Sequence, residues 1–341
     1  MNIFQLQESA WQRLQGRRAQ LPHALLLIGQ RGVGKFELAR AFAAGLLCEA
    51  PGMDGHACGQ CSACNWLGQG NHPDFRLVQP AAMSDEEAEA DEETGKKKPS
   101  QQITIDQVRG LDDFLHVGTH RQGVRIVLLH PAEAMNRNTA NALLKSLEEP
   151  RPDTLFLLVS SEADRLLPTI RSRCQAVEVP LPSPQAATAW LAAQKVSDGG
   201  RWLALAGGAP RLAAELAGSG QRSLLDALLG HLQKGRQLDP IAAAALIEKT
   251  LKADKSGALT MKRTVEWLQK WSADLALVAE GLPPRYFQAD GATIGQLAAS
   301  SSTIKIINFN RLLIKFKAQS EHPLNLRLVL EELFFAYRAL Y

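Results

Sequence analysis

No apolar run in the sequence approaches the ~18 consecutive residues that a membrane-crossing helix needs, so no membrane span is expected. The opening Met1-Asn2-Ile3-Phe4-Gln5-Leu6-Gln7-Glu8-Ser9 has neither a basic start nor a long apolar core, and no secretory signal is expected there. Charge of one sign is not in excess. The balance of 38 Lys and Arg against 35 Asp and Glu gives +3, which permits nucleic-acid contact without arguing for it. Cysteine is scarce, and four of the five crowd between positions 48 and 64, which suits a metal site better than a disulfide framework. No internal repeat is visible. With 341 residues, 45% of them hydrophobic and 21% charged, the composition is that of a globular chain too long for one core, so two or three domains are expected.

What is present starts with Gly29-Gln30-Arg31-Gly32-Val33-Gly34-Lys35-Phe36. The apolar run Ala24 to Ile28 precedes it and a helical pattern from Glu37 follows. Strand, Gly-rich turn and helix are the context of a phosphate-binding loop. Gly29, Gly32 and Gly34 let backbone N–H groups turn toward phosphate oxygens, the helix N-terminus adds its dipole, and Lys35 would meet the outer phosphates. The pattern lacks its last member. Phe36 stands where a Ser or Thr hydroxyl would coordinate magnesium, and a benzyl ring offers no oxygen to a hard cation. A second absence lies at the end of the buried strand Val124 to Leu129. A phosphate-loop ATPase carries Asp-Glu there, to hold the magnesium shell and to activate water. This chain has His130-Pro131. Glu133, three residues on, reads as a charge at a helix start rather than a displaced base. Nucleotide binding without turnover stays open on these residues.

Cys48 is followed after nine residues by Cys58-Gly59-Gln60-Cys61-Ser62-Ala63-Cys64. Two residues separate each of the last three cysteines from the next, the spacing of a knuckle that gathers thiolates. Cys48, at the end of the preceding helix, supplies a fourth. Four cysteines form a closed tetrahedral set, so a structural Zn2+ is expected with no open position for catalysis. His56 and His72 are alternative ligands but read better as surface or capping residues. Residues 81–100 hold an acidic block and then Lys96-Lys97-Lys98-Pro99, without apolar periodicity, and read as a disordered insertion.

Residues 4–20 read as an amphipathic helix, with Trp11 and Leu14 on one face. Thr104 or Asp106 is placed to cap the helix after Ile103. Asn136 to Glu149 is a helix ended by Pro150, Thr154 to Val159 a buried strand ending in Ser160-Ser161, and Gln175 to Val179 a last strand. Alternating strands and helices over 24–179 imply α/β architecture with a parallel sheet. Pro180-Leu181-Pro182-Ser183-Pro184 is a linker. Beyond it the pattern is helical, with turns at Gly207-Gly208-Ala209-Pro210-Arg211 and at Gly218-Ser219-Gly220, and a final helix over Leu326 to Leu340.

Asn141-Ala142-Leu143-Leu144-Lys145-Ser146-Leu147-Glu148-Glu149-Pro150 and Ser172-Arg173-Cys174, together with the degenerate loop and the four-cysteine insertion, resemble the bacterial DNA polymerase III clamp loader, within the AAA+ ATPases. The resemblance is dense over about 20–215. It implies an AAA+-like domain over 1–179 with the zinc module at 48–64 and the insertion at 81–100. A small helical lid over 180–216 and an all-α collar for oligomerisation over 217–341 would follow. Phe36, His130 and Pro131 make the chain resemble the family's non-hydrolysing member. The resemblance then implies that Arg173 is an arginine finger aimed in trans at ATP on a neighbouring motor subunit, with a pair to a carboxylate of its own domain as the plainer alternative. Arg171 is its nearby decoy, Ser160 and Ser161 match a polar sensor position, and Arg211 matches a lid arginine. The implied partners are motor subunits, a clamp-opening subunit, the sliding clamp and primed DNA, in a cytoplasmic hetero-oligomer.

Two other readings compete. One is a hydrolysing motor subunit of the same loader, which predicts ATPase activity and sits badly with Phe36, His130 and Pro131. The other is a zinc-dependent nucleic-acid-binding module on an ATPase-like scaffold. Such knuckles carry basic and aromatic residues between their cysteines. Gly59-Gln60 and Ser62-Ala63 are bland, and Trp66 alone follows.

Overall fold

The computed structural model describes residues 6–83, 100–120, 123–254, 257–319 and 325–341. The acidic block and the lysines after it, read as a disordered insertion over 81–100, lie outside the described residues, while Ala81–Met83 at its start forms a 3-10 turn. Two compact units divide the chain, Met1–Ser183 and Pro184–Tyr341. The division falls in the proline-rich stretch that composition marks as a linker.

The first unit is built on five parallel strands: β1 (Ala24–Ile28), β2 (Phe75–Val78), β3 (Arg125–Leu129), β4 (Thr154–Ser160) and β5 (Gln175–Glu178), in the order β2-β3-β4-β1-β5. The sequences Arg125-Ile126-Val127-Leu128-Leu129 and Thr154 to Ser160 are buried along their whole length. That is what continuous apolar runs become when both faces of a parallel sheet are covered. At the edge, β5 buries only Val177 of its four residues. Register puts Ile28 beside Ser160 and Leu129 beside Leu158. Because the strands are parallel, whatever follows β1, β3 and β4 collects along one edge of the sheet, where α/β proteins place their sites.

The helices of this unit are α1 (Glu8–Gln15), α2 (Lys35–Leu47), α3 (Ser62–Gly68), α4 (Ile105–Arg109), α5 (Leu111–His116), α6 (Arg137–Glu148) and α7 (Pro168–Arg171). The amphipathic helix expected over 4–20 is shorter. Gly16 closes α1 by donating to Gln12 O, and a 3-10 turn over Arg18–Gln20 follows. Ala10, Trp11 and Leu14 are its buried face. Thr104, not Asp106, caps α4, and Gln107 completes a capping box with it. Asn136 caps α6, which drives Ala140, Leu143 and Leu147 into the core beneath the sheet.

In the second unit the described residues form helices only: α8 (Pro184–Ala193), α9 (Gly199–Leu205), α10 (Pro210–Gly218), α11 (Arg222–Leu232), α12 (Pro240–Ala253), α13 (Met261–Ala279), α14 (Gly291–Ala299), α15 (Thr303–Gln319) and α16 (Leu326–Arg338). Its core is aromatic. Trp271 Nε1 donates to Tyr337 Oη at 2.9 Å, and that hydroxyl donates to Leu232 O at 2.8 Å. Both side chains are fully buried, so each polar atom needs such a partner. No helix among the described residues is long and apolar enough to cross a membrane.

Candidate functional site

The loop after β1 folds as its glycines require. Gly34 has φ 97°, a left-handed backbone that glycine adopts without strain, and it forms the N-cap of α2. A Cβ on Gly29 would lie 2.3 Å from the Val179 carbonyl oxygen, so no side chain fits between the loop and the chain leaving β5. Lys35 is the first residue of α2 and is 4% exposed. Its Nζ donates to Gly29 O at 2.9 Å, Gln30 O at 2.8 Å and Ser161 Oγ at 3.0 Å. Burial lowers its pKa to about 8, with the Glu133 carboxylate the strongest opposing influence.

Phe36 and His130 meet. Their rings stack at 4.7 Å between centroids and 26° between planes. Burial lowers the His130 pKa to about 4, and the nearby Lys35 charge adds to this, so the imidazole is neutral at physiological pH. The residue after the loop lysine and the residue after β3 are thus joined as an aromatic pair. Glu133 is a charge at a short helix start, as read, and it has a further bond that the reading missed. It sits in a 3-10 turn, Ala132–Ala134, and its Oε1 accepts from Ser161 N at 3.0 Å. It therefore ties the end of β3 to the end of β4 beside the buried ammonium. Its place just beyond β3, on the edge that also carries Ser160-Ser161, was the signal in the sequence. Ser160 is buried, with its Oγ accepting from Glu162 N.

Cys48, Cys58, Cys61 and Cys64 converge, with all four sulfurs within 4.8 Å of one another. The recorded Sγ–Sγ separations are 3.9 Å for Cys48–Cys61 and 4.0 Å for Cys58–Cys64. Four sulfurs at ~2.3 Å from one tetrahedral centre are ~3.8 Å apart, so the set can hold a metal ion. Local structure makes the cluster. Cys48 caps the C-terminus of α2, Cys61 caps the N-terminus of α3, and the backbone N–H groups of Cys58, Cys61 and Cys64 point at sulfur. Neither histidine joins the set. His56 stacks on Trp11 with centroids 4.1 Å apart, and His72 Nδ1 accepts from Asp74 N.

Arg173 lies just before β5. Its Nη2 is 2.6 Å from Glu148 Oε1, and its Nη1 donates to Thr169 O at 3.0 Å. The carboxylate partner raised as the plainer alternative is therefore present in this chain, and the pair is part-exposed rather than sealed. Arg171 pairs with Asp164 instead, at 3.1 Å. Cys174 is half-buried and burial pushes its thiol up to about 11, which leaves it protonated and inert at neutral pH. Arg211 stands exposed in the first turn of α10, in the second unit.

A family model described as DNA polymerase III, delta subunit, matches residues 6–183. DNA polymerase III subunit delta' of Pseudomonas aeruginosa is 41% identical over 275 residues, 80% of this chain and 76% of that protein. The same subunit of Haemophilus influenzae is 34% identical over 50% of this chain and 46% of its own length. A solved Thermotoga maritima chain titled a DNA polymerase III, gamma subunit-related protein aligns over 98% of both chains with a TM-score of 0.45 and 19% identity. A model match over more than half of the sequence and a relative of this similarity along four-fifths of it place the chain in the family of DNA polymerase III delta' subunits.

Proposed function

We propose that this clamp-loader subunit of DNA polymerase III takes part in loading without hydrolysing ATP itself. The observation that carries the reading is the Phe36–His130 stack, which fills with carbon and a neutral imidazole the two places where magnesium and water are handled in an active loop. Lys35 and the glycines keep the backbone of an anion cradle, but the ammonium is occupied by Gly29 O, Gln30 O and Ser161. The motor reading would need a hydroxyl at 36 and a carboxylate at 130 or 131, and the sequence supplies neither.

In this reading Arg173 acts outside its own chain. A guanidinium stabilises charge spread over transferring phosphoryl oxygens, an effect worth ~10³–10⁵ in rate where an arginine is lent across an interface. Arg173 is one-third exposed on the first unit, and that exposure supports the reading. The complex would open a sliding clamp and set it on primed DNA, in the cytoplasm. The helical second unit would divide into a lid over 180–216 and a collar over 217–341 that holds the ring together. The four cysteines would hold one structural zinc, which closes residues 48–64 and supplies no chemistry to the reaction.

The test is nucleotide turnover by the isolated chain, with and without magnesium. No hydrolysis under either condition is the expected result. Magnesium-dependent hydrolysis that disappears in Lys35→Ala would overturn the reading and put the motor assignment in its place.

A further inference from the structure

Arg173 and Glu148 lie on two separate elements, and both elements are pinned. Glu148 ends α6 directly after Leu147, which is 1% exposed in the core. Arg173 donates its backbone N–H to Ile170 O, and Ile170 is fully buried in the same core. The 2.6 Å pair therefore spans two fixed posts rather than two loose side chains. Its electrostatics have a direction as well. Glu148 and Glu149 stand at the C-terminal end of a 12-residue helix, where unsatisfied carbonyls already give partial negative charge. Two carboxylates there are unfavourable, and Lys145 in the same last turn offsets them only in part. The guanidinium adds a cation bonded directly to Glu148 and, through Nη1, also donates to the Thr169 carbonyl in α7.

We propose that Glu148 is a positioning residue for Arg173: it holds the guanidinium at the end of α6 in the orientation in which the neighbouring subunit's nucleotide receives it. The inference rests on the reading of Arg173 as a trans-acting arginine. An untethered arginine samples many rotamers and must lose that freedom on docking. The pair removes part of it before the subunits meet. Because the pair is part-exposed it is weak, so the benefit is a modest gain in rate and not a lock. Glu148 does not touch nucleotide; it acts through Arg173.

The experiment uses the reconstituted clamp-loader complex with primed DNA and sliding clamp, and reads kcat and KM for ATP in a double-mutant cycle. Glu148→Gln keeps the shape and removes the charge. It should lower kcat about two- to fivefold with little change in KM. In a background of Arg173→Ala the same substitution should have no further effect, because the group it orients is gone. Arg171→Ala, which loses the separate pair with Asp164, serves as the control and should leave kcat unchanged. If Glu148→Gln lowers kcat equally with and without Arg173, its role is structural and the inference is wrong. If it leaves kcat unchanged or raises it while Arg173→Ala lowers it, Glu148 does not position the arginine and only this inference fails. If Arg173→Ala itself has no effect, the trans-arginine reading fails first.

Discussion

If the loop is non-hydrolytic as proposed, a hydroxyl at position 36 is not expected by itself to turn it into a hydrolytic site. Phe36→Ser restores the oxygen that a magnesium ion asks of a phosphate loop, but β3 still ends in His130-Pro131 with no carboxylate to complete the shell or activate water. The expected outcome is no ATP hydrolysis by Phe36→Ser. The substitution also removes the ring that stacks on His130, and a pair of this kind contributes about 0.5–1.5 kcal/mol beyond the area it buries. A fall in stability of about 1–3 kcal/mol is therefore expected, read as a lower urea midpoint at unchanged slope. Turnover by this variant would show that groups other than a strand-end carboxylate handle the metal and water. The same residues show what the sequence could convey. Phe36, His130 and Pro131 each announced a missing oxygen. That the first two would become one stacked pair could not be read, because it depends on how β1 and β3 are spaced across the intervening β4.

At the scale of elements, the cysteine cluster is fastened to α1. Trp11 Nε1 donates to Asp54 O, the Trp11 ring stacks on His56, and Arg18 donates to the carbonyls of Gly45 and Gly55. Gly45 lets the strap approach α2, since a Cβ there would lie 2.2 Å from Gly55 O. Loss of the metal should therefore loosen more than the knuckle. Metal analysis of protein purified without chelator is expected to give one zinc per chain, and Cys58→Ser is expected to lose it. In that variant amide hydrogen exchange should speed up across 48–64 and along α1, while β3 and β4 keep their protection. Equal protection in α1 with and without metal would mean the strap holds unaided. The gathering of the four cysteines and the parallel sheet were legible because spacing and apolar runs are local signals. The strap was not, since Trp11 and His56 are far apart in sequence and only the packing of α1 against α2 brings their rings together. The extent of α1 was overread: Gly16 closes the helix, and Arg17 and Arg18 stand where its apolar face would have continued.

Each of the two compact units draws a lysine ammonium away from water, Lys35 fully and Lys270 in part, and the whole molecule should show it in its response to pH. In the first unit the group is Lys35. In the second it is Lys270, whose Nζ donates to Leu205 O at 2.6 Å and lies 5.5 Å from the centre of the Tyr286 ring. Burial lowers both to about 8, against opposing attraction from Glu133 and Glu266. An unfolded lysine keeps its proton to about 10.4, so above pH ~7 the unfolded chain binds more protons than the folded one. Stability must then rise with pH through this window, the opposite of what a salt-bridged lysine gives. Between about pH 7 and 9 each lysine should add about 1 kcal/mol, seen as a rising urea midpoint. Higher still, the trend should reverse, because burial holds the Cys174 thiol near 11 and Tyr341 near 12, and the unfolded chain loses those protons first. Lys35→Met and Lys270→Met should each flatten the rise by its own share, since an apolar chain of similar length has no proton to release. A flat or falling profile from pH 7 to 9 in the unsubstituted chain would mean the two ammonium groups reach water in solution. In that case Lys35 would no longer be held by the loop carbonyls, and its cradle would be open to an anion.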